Sequence, residues 1–282
     1  MEKVKKIIGS GFLEKVIRLN FDVFLVYLLL NMYILLKIRA DFAVYDYMVS
    51  YITSAMLITA NLFLLSSIYL LNKVSDIKED LKNQTDIKNE YAETIIKYYW
   101  AANLFSFVIY FYIGKGFLIY WLAFFVLGLF YSYPRSFRLK NLPLLKNLIP
   151  SFCWYLSICL LIIVNTKSPD ILAVLIENIS IWFSLILFEI LWDLPDREGD
   201  RLSGVKTIPV LIGFKNTKTL LIIMNVLLLV FLASYKAKSI VFVILLFLLS
   251  INKDTPKRYY HLIIFAASLI YLLYGILLFL KI

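Results

Sequence analysis

ISIWFSLILFEILW, Ile179 to Trp192, runs without interruption into DLPDREGD, Asp193 to Asp200. The first stretch is apolar enough to sit in lipid. The second carries three carboxylates, Asp193, Asp196 and Asp200, at i, i+3 and i+7. On one continuous helix that spacing stacks all three on one face, with neighbouring Cβ atoms about 5–6 Å apart. Unpaired carboxylates at that distance repel, so the pattern suits a face that holds a hard cation such as Mg²⁺. Ionisable groups at the end of a membrane-type helix mark a functional site by default.

A second cluster stands earlier in the chain, again directly after an apolar run: Asn72-Lys73-Val74-Ser75-Asp76-Ile77-Lys78-Glu79-Asp80. Asn72, Asp76 and Asp80 fall at i, i+4 and i+8, which is again one helical face. One acidic helix end is commonplace. Two oxygen-donor faces, each closing an apolar helix, point to a shared site.

Composition sets the solvent. Of the 282 residues 62% are hydrophobic and 17% charged, against about 45–50% and about 25% in a soluble domain. The chain therefore reads as a polytopic, all-α membrane protein. Its net charge of +10 is expected from loops facing anionic lipid rather than from a nucleic-acid partner. Cys153 and Cys159 lie inside one apolar run and read as buried thiols. The single histidine, His261, leaves no basis for His-rich zinc or haem chemistry.

Apolar segments are expected at about 20–37, 48–71, 97–113, 116–133, 148–166, 169–192, 217–234, 238–251 and 259–280, nine spans in a single domain covering 1–282. A full span takes about 20 residues, with about 17 as the lower limit. Residues 1–18 alternate basic and apolar side chains and are expected to lie as an amphipathic segment on the membrane surface. With the N-terminus inside, only Lys37, Arg39, Lys115, Lys167, Lys236, Lys238 and Lys281 of the 29 basic residues face outward. The positive-inside bias thus places both acidic clusters in cytoplasmic loops of the cell membrane, under a polar cap.

Two carboxylate faces on one side of a membrane suit metal-assisted handling of a diphosphate. Mg²⁺ binds through one or two carboxylates plus substrate phosphates and keeps several waters. Basic residues of the same side, Arg138, Lys140 and Lys146 in one loop and Arg201 and Lys206 in another, could complete such a pocket. Ion-coupled transport is the non-enzymatic alternative, although transporter sites usually lie near the membrane midplane.

The paired clusters resemble the motifs of the intramembrane prenyltransferase superfamily typified by UbiA. Asn72 to Asp80, with Asn83 beyond, is similar to the NDxxDxxxD of its first motif, and Asp193, Asp196 and Asp200 match the DxxDxxxD of its second. Gly204-Val205-Lys206-Thr207-Ile208-Pro209-Val210 and Gly213 resemble the family's run after the second motif. Tyr131-Ser132 to Arg138-Leu139-Lys140 looks like its YS…LK loop with one extra residue. Lys73 departs from the pattern, standing where the family usually has an Asp.

The resemblance implies Mg²⁺-dependent transfer of a prenyl group from a polyprenyl diphosphate to a lipophilic or aromatic acceptor that the sequence does not name. It implies metal binding by Asn72, Asp76, Asp80, Asp193, Asp196 and Asp200; Arg138, Lys140, Arg201 and Lys206 are the candidate diphosphate contacts among the basic residues of the same side. Glu189, one turn before Asp193, is a candidate, with Asp193, for the catalytic work of orienting or deprotonating the acceptor. A terpene cyclase of the same fold would show the same motifs.

Overall fold

The computed structural model describes residues 25–39, 47–75, 92–133, 138–166, 170–231 and 235–280. Every regular element among them is helical. In chain order these are α1 (25–39), α2 (Tyr47–Ser75), α3 (Ala92–Ile113), α4 (Leu118–Ser132), α5 (Leu145–Asn165), α6 (Ile171–Glu177), α7 (Ile179–Asp193), α8 (Arg197–Ser203), α9 (Ile208–Phe231), α10 (Tyr235–Ser250) and α11 (Lys257–Leu280). Short 3₁₀ turns at Lys115–Phe117 and Leu139–Asn141 lead into α4 and α5. Helices dominate because lipid offers no partner for backbone N–H and C=O groups, and a helix satisfies them within one segment.

Each expected apolar segment overlaps a helix, but within the described residues fewer than nine qualify as spans. Among the described residues five are long and apolar enough: Tyr51–Asn72, Lys115–Ser132, Leu145–Asn165, Ile208–Val230 and Lys257–Leu280. A sixth arises if α6 and α7, bent by 53° at Asn178, are one broken span. Of the expected segment 20–37 only residues from 25 on are described; in the others the shortfall is one of length and polarity. Helix α10 has 16 residues, below the lower limit of about 17, and α3 begins with Glu93 and Lys97. The 1–18 segment, Asp76 and Asp80 lie outside the described residues.

Helix α5 is the spine. It packs against α2 on one side and α7 on the other, while α7 also meets α9. Its buried face, Cys153, Trp154, Tyr155, Ile158, Leu161 and neighbours, belongs to one continuous core with Tyr27, Leu64, Phe188 and Leu191. Trp154 sits edge-on to Tyr27 at 5.4 Å and donates its indole N–H to Tyr69 Oη at 3.3 Å. Polar side chains inside the bundle pair across helices, as lipid demands: Tyr27 with Ser157 at 2.7 Å, Tyr110 with Asn61 at 2.6 Å, and Asn165 with Ser54 at 2.7 Å. Both cysteines are free and buried, as the sequence reading expected.

The bend between α6 and α7 is held from outside those helices. Tyr155 on α5 donates its hydroxyl to the Leu175 carbonyl, and Lys37 donates to Asn178 Oδ1 at 3.3 Å. Asn178 closes on itself by donating to the Val174 carbonyl at 2.8 Å. Backbone groups freed at the break therefore stand among polar side chains from α1 and α5.

Candidate functional site

Helix α5 starts from a sharp turn. Leu144 precedes it with φ 69° and ψ −32°, and its carbonyl accepts from the N–H groups of Asn147 and Leu148 at 3.0 Å each. Positive φ in a residue with a branched side chain is strained. It appears here at a site-forming turn: Lys146 and Asn147 follow at once, and both reach the second acidic motif.

Lys146 Nζ lies 2.9 Å from Asp193 Oδ1 and 3.0 Å from Asp200 Oδ2. All three side chains are shielded, with relative exposures of 19%, 12% and 10%. Asn147 donates its Nδ2 to Asp193 Oδ2 at 2.8 Å. Asn147 Oδ1 is buried and has no hydrogen-bond partner. Burial pushes the Asp200 carboxyl up to about 6, against the opposing pull of Lys146.

Asp196 does not join this pair. The expected single face is broken, because α7 ends at Asp193 and α8 begins only at Arg197. Pro195 lies in the gap, with no N–H to continue the ladder. Asp196 becomes the residue before α8 and accepts from Lys257 Nζ at 2.7 Å on both oxygens. Helix α8 then closes after two turns at Gly204, whose φ of 77° lets its N–H return to the Arg201 carbonyl at 3.2 Å. That closure fixes Asp200 beside Lys146.

Among the described residues, no group of three His, Cys, Asp or Glu side chains gathers as a metal site. What gathers is a carboxylate pair with an amide oxygen beside it. The donor set fits a hard cation nonetheless: two carboxylates converge on one positive atom, and the orphaned Asn147 Oδ1 is a further oxygen donor within the same cluster.

The remaining expected residues fall around this pair. Asn72, in the last turn of α2, accepts weakly from Ser132 at 3.5 Å and overlooks a cavity of about 30 Å³. Ile68, Gly128, Ile149, Cys153 and Trp154 help to wall that cavity. Asn72 and Asp193 thus flank the same first turns of α5, from the α2 side and the α7 side. Glu189 is half-buried and within electrostatic reach of Asp193, Lys146, Tyr69 and Cys153. Lys140 is buried, at 2% exposure, in the turn before α5, and Arg138 precedes it. Arg201 is exposed and pairs with Glu198 at 2.8 Å, while Lys206 is exposed beyond α8. Asn147 and Lys257 were not singled out from the sequence as site residues. The only signal for Asn147 was a Lys-Asn pair opening an apolar run, and Lys257 was counted for topology alone.

The fold has solved counterparts. A UbiA homologue from Archaeoglobus fulgidus bound to DMAPP and Mg²⁺ superposes with TM-score 0.62 at 16% identity, covering 95% of this chain and 100% of that one. An apo UbiA homologue from Aeropyrum pernix K1 gives TM-score 0.66 at 13% identity over 89% of this chain and 96% of its own. A digeranylgeranylglyceryl phosphate synthase gives 0.59 at 15% identity over 100% of both chains. No match was found among curated proteins. The family model for UbiA prenyltransferases matches residues 40–279, nearly the whole chain and both motif regions, and the chain therefore belongs to the UbiA prenyltransferase family.

Proposed function

We propose that this protein transfers a prenyl group from a polyprenyl diphosphate to a lipophilic or aromatic acceptor within the membrane, with Mg²⁺ as cofactor. One observation carries the reading: Asp193 and Asp200 converge at the same end of α5 that Asn72 flanks from the other side. Asn72, Asp76 and Asp80 would hold metal on one side of the donor's diphosphate, and Asp193, Asp196 and Asp200 on the other. Mg²⁺ bound there supplies charge that stabilises the leaving diphosphate.

The chain's own groups do the rest. Arg138 and Lys140, in the turn before α5, and Lys146, in its first turn, serve as diphosphate contacts on one side, and Arg201 and Lys206 stand at the exposed rim as further ones. The apolar walls below Asn72 keep water from the allylic carbon, and Tyr69 and Trp154 present aromatic faces to a developing cation. Glu189 orients the acceptor or takes its proton. Both motif loops face the cytoplasm, in keeping with the basic residues they carry.

The decisive experiment incubates the purified protein in lipid with geranyl diphosphate, Mg²⁺ and a membrane extract. Diphosphate release is followed and prenylated products are identified by mass spectrometry. Geranyl and dimethylallyl diphosphates are the first donors to test, because the Archaeoglobus homologue binds both. Release and product should require Mg²⁺ and fall about 100-fold or more in Asp193→Asn and Asp200→Asn. Full release without any acceptor would indicate a cyclase, Mg²⁺-independent movement of substrate would indicate a transporter, and undiminished activity in both variants would sink the reading.

A further inference from the structure

All three second-motif carboxylates are neutralised by lysines of this chain. Asp196 is held by Lys257 in an exposed pair, with side-chain exposures of 35% and 52%, and such a contact is easily exchanged with water. Lys146 is different. Its ammonium is shielded, contacts Asp193 and Asp200 together, and sits on the point toward which both carboxylates are aimed. It is also anchored, because its own carbonyl accepts from Tyr131 Oη at 3.2 Å and α5 starts from the fixed turn at Leu144.

We infer that Lys146 is a built-in occupant of the second carboxylate pair, competing with a divalent cation for Asp193 and Asp200 until the donor's diphosphate draws its ammonium away. The inference rests on the functional reading above and adds the order in which that site fills. An ammonium and a divalent cation cannot both lie against the same two shielded carboxylates without strong repulsion. A diphosphate removes the conflict by offering Lys146 a second set of anionic oxygens a few ångströms from the first. Lys146 thereby couples the two ligands. Metal alone binds poorly, metal with diphosphate binds well, and by thermodynamic reciprocity each raises the other's affinity by the same factor. Bare carboxylates are never left unpaired in a low-dielectric site, which would be costly. The coupling also disfavours metal sitting unproductively in an enzyme that holds no donor.

The test measures metal binding directly. Mn²⁺ alone is titrated into purified wild-type protein and into Lys146→Gln and Lys146→Arg, with free Mn²⁺ read by electron paramagnetic resonance. Lys146→Gln should bind Mn²⁺ about tenfold more tightly than wild type, within the usual range of coupling between sites. Lys146→Arg, which keeps the charge, should stay within about threefold of wild type. A second measurement needs no variant: thermal unfolding of the wild type with Mg²⁺ alone, inorganic diphosphate alone, and both. The joint shift in Tm should exceed the sum of the separate shifts. Mn²⁺ binding in Lys146→Gln equal to or weaker than wild type would overturn the inference. Should that variant not fold, additive Tm shifts in the wild type would overturn it equally. Mn²⁺ binding in the presence of inorganic diphosphate that is unchanged in Asp193→Asn would instead remove the metal site, and with it the functional reading.

Discussion

Asn147 donates to Asp193 across 2.8 Å while its own Oδ1, buried in the same cluster, has no partner. A buried carbonyl oxygen left without a donor costs about 1–3 kcal/mol, so its retention beside a carboxylate argues for use. Replacing Asn147 by Leu keeps the volume, deletes the donor that orients Asp193 and removes the spare oxygen. Supporting groups of this kind are worth about 10–100-fold in metal affinity or activity. Asn147→Leu should therefore raise the Mg²⁺ concentration needed for half-maximal diphosphate release by that order. Folding should survive, because the neighbouring ion pair of Lys146 remains. An unchanged Mg²⁺ requirement would reduce Asn147 to a packing residue.

Leu144 shows strain stored two residues from Lys146. Its φ of 69° lies where a side chain clashes with the backbone, at a cost on the order of 1–3 kcal/mol. Leu144 is half exposed, at 50%, so deleting its side chain forfeits little burial. Leu144→Gly should raise Tm, with relief of strain outweighing the added freedom of the unfolded chain. Activity should not rise with it and should fall if the turn loosens around Lys146. A lower Tm would mean that the turn is comfortable for leucine.

Glu189 stands one turn below Asp193 and is half-buried. If it takes a proton from the acceptor, Glu189→Gln should lower prenyl transfer by about 10²–10⁴-fold, with Mg²⁺ requirement and donor KM little changed. If it only orients the acceptor by hydrogen bonding, Gln should substitute and Leu should not. Comparing kcat for the two variants separates these roles, and equal, full activity in both would remove Glu189 from the reaction.

The spans were legible because lipid leaves the chain few choices. A long apolar run in a bilayer must be a helix, and Leu145–Asn165 or Lys257–Leu280 follows from residue types alone. The acidic motifs were legible as chemistry but not as geometry. Spacing on an ideal helix put Asp193, Asp196 and Asp200 on one face. Pro195 broke that helix, so Asp196 turned to Lys257 and only Asp193 and Asp200 met. Nor could spacing show that 169–192 would bend at Asn178, since the bend is held by Tyr155 and Lys37 from other helices. Asn147 was hidden for the same reason. Its role depends on a strained turn and on a helix far away in sequence.

The shared side of the two motifs can be checked without activity. Asn72 and Asp193 flank the same end of α5, and the basic residues of the connecting loops predict that this end is cytoplasmic. Single cysteines at Gln84 and at Ser203, in a background lacking Cys153 and Cys159, should be modified by a membrane-impermeant thiol reagent only after the inner side is opened to it. Labelling of the two positions from opposite sides would dismantle a site built from both motifs.

The close approach of α4 to α2 supplies the last test. At Gly128 an added Cβ would stand 2.3 Å from Ile68 Cγ1 and 2.4 Å from Cδ1. Both residues wall the cavity below Asn72, together with Tyr69 and Trp154. Gly128→Ala therefore cannot be absorbed in place. It must either part α4 from α2 or rotate Ile68 into the cavity, and overpacking of this kind costs about 1–3 kcal/mol. If the cavity is where the first carbons of the donor chain lie, the rotated Ile68 should raise KM for geranyl diphosphate while affinity for inorganic diphosphate stays the same. Shortening the obstructing side chain should then undo the effect, so Gly128→Ala combined with Ile68→Ala should recover both Tm and donor KM. Recovery of Tm without recovery of KM would mean that the helix contact matters only for stability and that the prenyl chain runs elsewhere.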